Sequence, residues 1–171
     1  MLRTLVAATA AALTFTGLAL AVPQKDTVTL TAALKARFEV PKATGVRVGA
    51  VGAFTAKAVE LDNDRARLTW RLTFSKLTGR ADAAHIHIGR AGKAGGVMVA
   101  LCGPCKNGQR GTANITHAKL RTIRAGGTYV NVHTAKNAAG EIRGQVKSSD
   151  AGSSSNPPPS PSPPPEPPPY P

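Results

Sequence analysis

The stretch AAHIHIGRAG, Ala83 to Gly92, places two histidines one residue apart ahead of a glycine-rich turn. In an extended chain, residues i and i+2 point to the same side. His85 and His87 therefore share one face, and Ile86 and Ile88 share the other. Two imidazoles on one strand face can chelate a single ion, and a third from a neighbouring strand completes a set suited to zinc or copper(II). His133, in GTYVNVHT, is the candidate third ligand, on the face opposite Val130 and Val132. The isoleucines and valines are expected in the core and all three imidazoles outward. A plainer reading stands beside this one. Outward strand positions are polar anyway, a hairpin could set His133 beside Glu141, and His85 and His87 could bond the GRAGKAGG loop. The residues leave both readings open. His117 sits in a different context and reads as a surface residue.

Cys102 and Cys105 lie in LCGPCKNGQRG. The spacing is that of a thioredoxin-type redox pair, which needs a helix to follow the motif and lower the first thiol's pKa. KNGQRG is turn composition instead. A zinc half-site would need a second cysteine pair, which is lacking. In an exported chain a structural disulfide is the simplest outcome. The sequence has no Gly-x-Ser-x-Gly elbow, no H-E-x-x-H and no phosphate-binding loop. A non-enzymatic protein is expected. No organic cofactor is implied, and copper or zinc is the only inorganic one.

The elements that carry these residues are strands. In ARLTWRLTFSKL, Leu68, Trp70, Leu72 and Phe74 alternate with Thr69, Arg71, Thr73 and Ser75. Strict alternation describes a half-buried strand, with Trp70 as a core anchor. A preceding strand runs from about Ala53 to Leu61, and Asp62-Asn63-Asp64 turns it into a hairpin. TLTAAL opens the domain near Thr29. GGVMVALC places Val97, Val99 and Leu101 on one face. GTYVNVHT and GEIRGQVK form a second hairpin across AKNAAG. THAKLRTIRAG alone reads as helix, with Leu120 and Ile123 three apart and Gly126 at its end. The class is an all-β, antiparallel β-sandwich or barrel.

Both ends differ from this middle. Residues 1–21 have a short basic start, an apolar run to Leu20 and a small-residue site at Ala19-Leu20-Ala21, the three parts of a secretory signal peptide. Cleavage after Ala21 is expected, leaving a secreted chain from Val22, extracellular or in a cell wall, with no stable membrane insertion. Residues 148–171 are Ser- and Pro-rich and hold eleven of the 14 prolines. They read as a disordered tail of polyproline II character that adds nothing to folding. The domain proper is residues 28–147. The net charge is +13 with only 4% aromatic residues, and the basic residues are scattered singly. Nucleic acid is not the expected partner; acidic wall or matrix polymers, or another extracellular protein, are. Asn114-Ile115-Thr116 is an N-glycosylation sequon in a host that uses one.

LKARFEVPKATG, AAHIHIGRAGKAGGVMVALC and AGGTYVNVHTAKNAAGEIRGQV resemble the CHRD domain, named after chordin. Members share an A-x-IH-x-G turn, a G-x-YVNVHT strand and a closing GEIRGQ strand. The resemblance runs from about Thr29 to Val146. It implies an immunoglobulin-like sandwich distantly similar to copper-zinc superoxide dismutases, in which an H-x-H strand supplies copper ligands. It implies no activity, and points to an interaction or structural module at the cell surface or matrix. Chordin's growth-factor binding belongs to separate cysteine-rich modules and is not carried over. A bridged copper-zinc pair needs more than the four histidines present.

Overall fold

The computed structural model describes residues 27–149. The expected signal peptide and nearly all of the expected tail lie outside the described residues. Nine strands and one α-helix follow in chain order: β1 Thr27–Lys35, β2 Val51–Leu61, β3 Arg65–Ser75, β4 Ala81–Ile88, β5 Val97–Cys102, β6 Arg110–Thr116, α1 His117–Arg124, β7 Thr128–Thr134, β8 Ile142–Gln145 and β9 Lys147–Ser148. Among the described residues no helix is long and apolar enough to cross a membrane.

All strand pairs are antiparallel, in the order β5-β4-β7-β8-β1-β2-β3-β6, with β9 also on β1. A single bridge, Lys35 to Arg143, joins β8 to β1. The sheet therefore turns a corner there, and its two end strands, β5 and β6, come together on the far side. The result is a sandwich closed nearly into a barrel, and the all-β reading holds.

Alternation builds the core. Val28, Leu30, Ala32 and Leu34 of β1, and Ala66, Leu68, Trp70 and Leu72 of β3, are all buried. Each of the long strands thus buries every second side chain, as a sheet with one wet face requires. Trp70 is the anchor that its alternation indicated, and its cross-strand neighbours are small: Ala56 on β2 and Gly111 on β6. Helix α1 starts at Thr116, whose hydroxyl accepts from the Lys119 N–H, a normal N-cap. It buries Leu120 and Ile123 completely and ends near Gly126, which takes φ 72°. Asn63 and Asp64 take left-handed φ in the turn between β2 and β3.

One expectation fails on β5. Val97 is exposed, while Met98 and Val99 are both buried. The pairing of β5 with β4 slips twice, so that Ile86 meets Val99 and His87 meets Val97. Each slip is a bulge, which breaks the two-residue period. Cys102 and Cys105 form the expected disulfide. The Cys105 N–H donates to the Ala81 carbonyl, so the bridge also ties the turn back to β4.

The solvent face of β2-β3-β6 gathers charge that looked scattered along the chain. Lys57, Arg65, Arg67, Arg71 and Arg110 are all exposed there, and Arg71 lies directly opposite Arg110. The other outward positions of these strands carry threonine, asparagine, serine or apolar side chains, and no carboxylate.

A Cβ added at Gly111 would stand 2.4 Å from Trp70 Cζ2. Gly111→Ala is therefore expected to destabilise the domain by about 1–3 kcal/mol, the usual cost of overpacking. A fall in melting temperature with the secondary structure retained is the measurement. An unchanged melting temperature would show that the ring has room to move.

Candidate metal centre

His85 and His87 leave β4 on the same side, as their spacing requires. In the β4–β7 register His85 pairs with Asn131, His87 with Tyr129, and Ala83 with His133. His133 is thus one step diagonal from His85 and on the same face. The three ligating nitrogens lie within 4.8 Å of one another. The ring centroids are 5.0 Å apart for His85 and His133, and 5.5 Å for each of the other two pairs.

The face they share is not open. His87 is only 7% exposed, and His85 and His133 are half-buried. This corrects the expectation that the imidazoles point into solvent, and Ile88, expected in the core, is 51% exposed. The cause is a roof. The loop 89–96 folds back over the outer side of β4, β7 and β8. It is held by bonds from Ile88 N–H to Gly96 O and from Gly89 N–H to Gly127 O. Gly95 lies so close to the Ile88 carbonyl that no Cβ would fit.

Backbone carbonyls, one from the roof and one from the 134–141 turn, fix the tautomers of two of the rings. His87 Nδ1 stands 3.0 Å from the Gly95 carbonyl, and His133 Nδ1 stands 3.0 Å from the Ala138 carbonyl. A carbonyl only accepts, so both Nδ1 atoms carry the proton and both Nε2 atoms carry a lone pair. His133 Nε2 therefore accepts from the His85 Nδ1–H at 3.2 Å, a proton that a bound ion would displace, and His87 Nε2 is buried with no partner. Two ligands about 2.0–2.1 Å from a tetrahedral zinc are themselves about 3.3 Å apart. The His85–His133 spacing already matches that figure.

Burial pushes all three imidazoles below their ordinary pKa. For His85 the neighbouring His133 and His87 add to the effect, and for His87 the Arg143 charge does. At neutral pH the cluster is three uncharged rings, the form that binds metal.

His133 does not meet Glu141. Burial works to raise the Glu141 carboxyl, but bonds from Thr78, Thr134 and Asn137 outweigh it and hold the pKa below the usual range. That carboxylate therefore organises the 78 and 134–141 turns. His117 stays apart, its Nε2 at 2.7 Å from the Arg65 carbonyl. GRAGKAGG is a loop, as read.

Beside the histidines lies a polar group that alternation alone did not single out. Tyr129, on the central strand β7, stacks on His87 at 5.0 Å and carries the Arg143 guanidinium 3.4 Å from its ring centre. Arg143 is 1% exposed and donates to the Arg90 and Lys93 carbonyls. Asn131 donates to Glu39 Oε1. These residues occupy outward strand positions, so the period of two marks them as polar surface. Only the roof makes them interior.

A sequence model of the CHRD domain matches residues 30–146. The chain belongs to the CHRD domain family. The match spans β1 to Val146 and so includes the whole CHRD roof and all three histidines. CHRD domains occur in extracellular proteins. No curated protein and no solved structure matches the chain.

Two buried groups tilt stability with pH in opposite senses. Burial raises the Glu39 carboxyl to about 7, so Glu39 stabilises the fold at low pH and that contribution is lost as pH rises from 4.5 towards 7. The histidines, lowered from 6.5, contribute stability that is lost as pH falls below 6.5. Glu39→Gln removes the first slope only. Urea unfolding across this window is expected to show stability rising more steeply with pH in the variant than in the parent. Parallel curves would show that Glu39 is not held protonated by the fold.

Proposed function

We propose that this CHRD-domain protein binds zinc or copper(II) through His85, His87 and His133. One observation carries the reading: backbone carbonyls fix His87 and His133 with Nε2 as the unprotonated nitrogen, the first buried without a partner and the second turned to His85, inside a cluster small enough for one ion. Orientation of a ligating ring by its other nitrogen is what metal sites use to set the tautomer. A merely polar patch has no need of a buried Nε2 without a partner. The bound ion would supply a fixed positive charge. The chain's part is to present three neutral imidazoles and shield them with the loop 89–96.

The chelator-stripped full chain, titrated with zinc or copper(II) in a calorimeter, is expected to give one saturable site at micromolar metal. The His85→Ala/His87→Ala variant is expected to lose it. Absence of saturable binding, or equal binding by the variant, removes the proposal.

The basic face of β2-β3-β6 supports a second, non-enzymatic role: adhesion to an acidic wall or matrix polymer. Arg71 opposite Arg110 is a repulsive cross-strand pair that a polyanion relieves. Retention on an immobilised carboxylated polysaccharide is expected to fall several-fold in Arg67→Gln/Arg71→Gln/Arg110→Gln, and with added salt in the parent. Retention that is indifferent to both changes would place adhesion elsewhere.

A further inference from the structure

Where β1 leaves β8 to pair with β9, the outer surface opens into a cleft of about 750 Å³. Its apolar wall is Ala33, Phe38, Val40, Pro41 and Ala91. Phe38 is 44% exposed, unusual for a side chain with no surface to cover. Five cations also line the cleft, Lys35, Arg37, Lys42, Arg143 and Lys147, against one carboxylate, Glu39.

The most buried charged group of the lining is Arg143. Its Nη2 is spent on the loop carbonyls, but its Nη1 is buried without a partner. Glu39 is 2% exposed; its Oε1 accepts from the Val40 N–H and from Asn131, while its Oε2 has no partner. A buried guanidinium nitrogen left without an acceptor is costly. An acceptor arriving through the cleft would complete it with a charge-assisted bond.

We propose that this cleft binds a small amphiphilic carboxylate, with its head on Arg143 and its apolar body against Phe38, Val40 and Pro41. The surplus of cations selects an anion, and the apolar wall selects against a purely polar one. A carboxylate supplies what both unfilled positions lack: an acceptor for the Arg143 Nη1–H, and an acceptor for the proton that Glu39 carries below about pH 7. The site shares no ligand with the histidine cluster, and Tyr129 stands between Arg143 on one side and His87 on the other.

The test is calorimetry on the full chain in chelator, which separates the result from the metal site, with decanoate below its micellar concentration. One saturable site is expected, with a neutral decyl glycoside and decyltrimethylammonium each at least about tenfold weaker, roughly 1.4 kcal/mol. Arg143→Gln is expected to weaken decanoate by about tenfold or more. Because Arg143 also holds the loop 89–96, Lys35→Gln/Lys42→Gln repeats the test at positions that bear on no core contact. A fall of about threefold or more is expected, at an unchanged melting temperature. The proposal is overturned by no saturable binding, by equal affinity for the neutral glycoside, or by decanoate affinity unchanged in Lys35→Gln/Lys42→Gln.

Discussion

A permanent positive charge under a roof is the constraint on which this structure turns. The Arg143 guanidinium cannot lose its proton and is almost wholly buried. It must be given acceptors and a π surface, and the fold supplies both. The Arg90 and Lys93 carbonyls come down to meet it, and Tyr129 lies flat beneath it. The loop that brings those carbonyls also brings Gly95 O, which orients His87, and Gly89 O, which takes the Gln145 amide. Without the charge, the loop would lose two of the bonds that hold it on the sheet, at Arg90 and Lys93.

The two halves of the sandwich divide the labour. The half formed by β1, β2, β3 and β6 is plain alternation: apolar inside, threonine and arginine outside. The half formed by β5, β4, β7 and β8 buries side chains on both faces of β7, where six of seven residues are buried and the seventh is His133. A strand covered on both sides by apolar groups would be core. Here the second cover is main chain, and main chain demands polar partners beneath it. That is why a histidine, an asparagine and a tyrosine sit where a second hydrophobic layer would otherwise be.

The legible parts of the chain were those governed by period. Leu68 to Phe74, the Asp62–Asp64 turn, the Leu120–Ile123 helix and the Cys102–Cys105 bridge all follow from local pattern and chemistry. So does the shared face of His85 and His87, because i and i+2 admit no other answer on a strand; His133 joins them through the β4–β7 register. The exposure of that face was not legible. Alternation says which side a residue takes and not what lies over it. The loops 36–42 and 89–96 close over β7 through contacts up to about a hundred residues away in sequence, such as Asn131 to Glu39. The β5 bulges were hidden for a related reason: the slips belong to the pairing with β4, and VMVALC alone carries no mark of them.

The roof is fastened almost entirely by its backbone. Arg143 reaches the carbonyls of Arg90 and Lys93, His87 that of Gly95, His133 that of Ala138, and Gln145 those of Gly89 and Gly126. At Gly89, Arg90, Lys93 and Gly95 the loop lends its shape and the strand lends the side chain; at Ala138 and Gly126 neighbouring turns do the same. For sequence drift the burden is therefore uneven. The side chains of Arg90, Ala91 and Lys93 can change with little effect on how the histidines are held. Gly89 and Gly95, which set the path of the loop against the sheet, cannot, and neither can the strand residues that read that path.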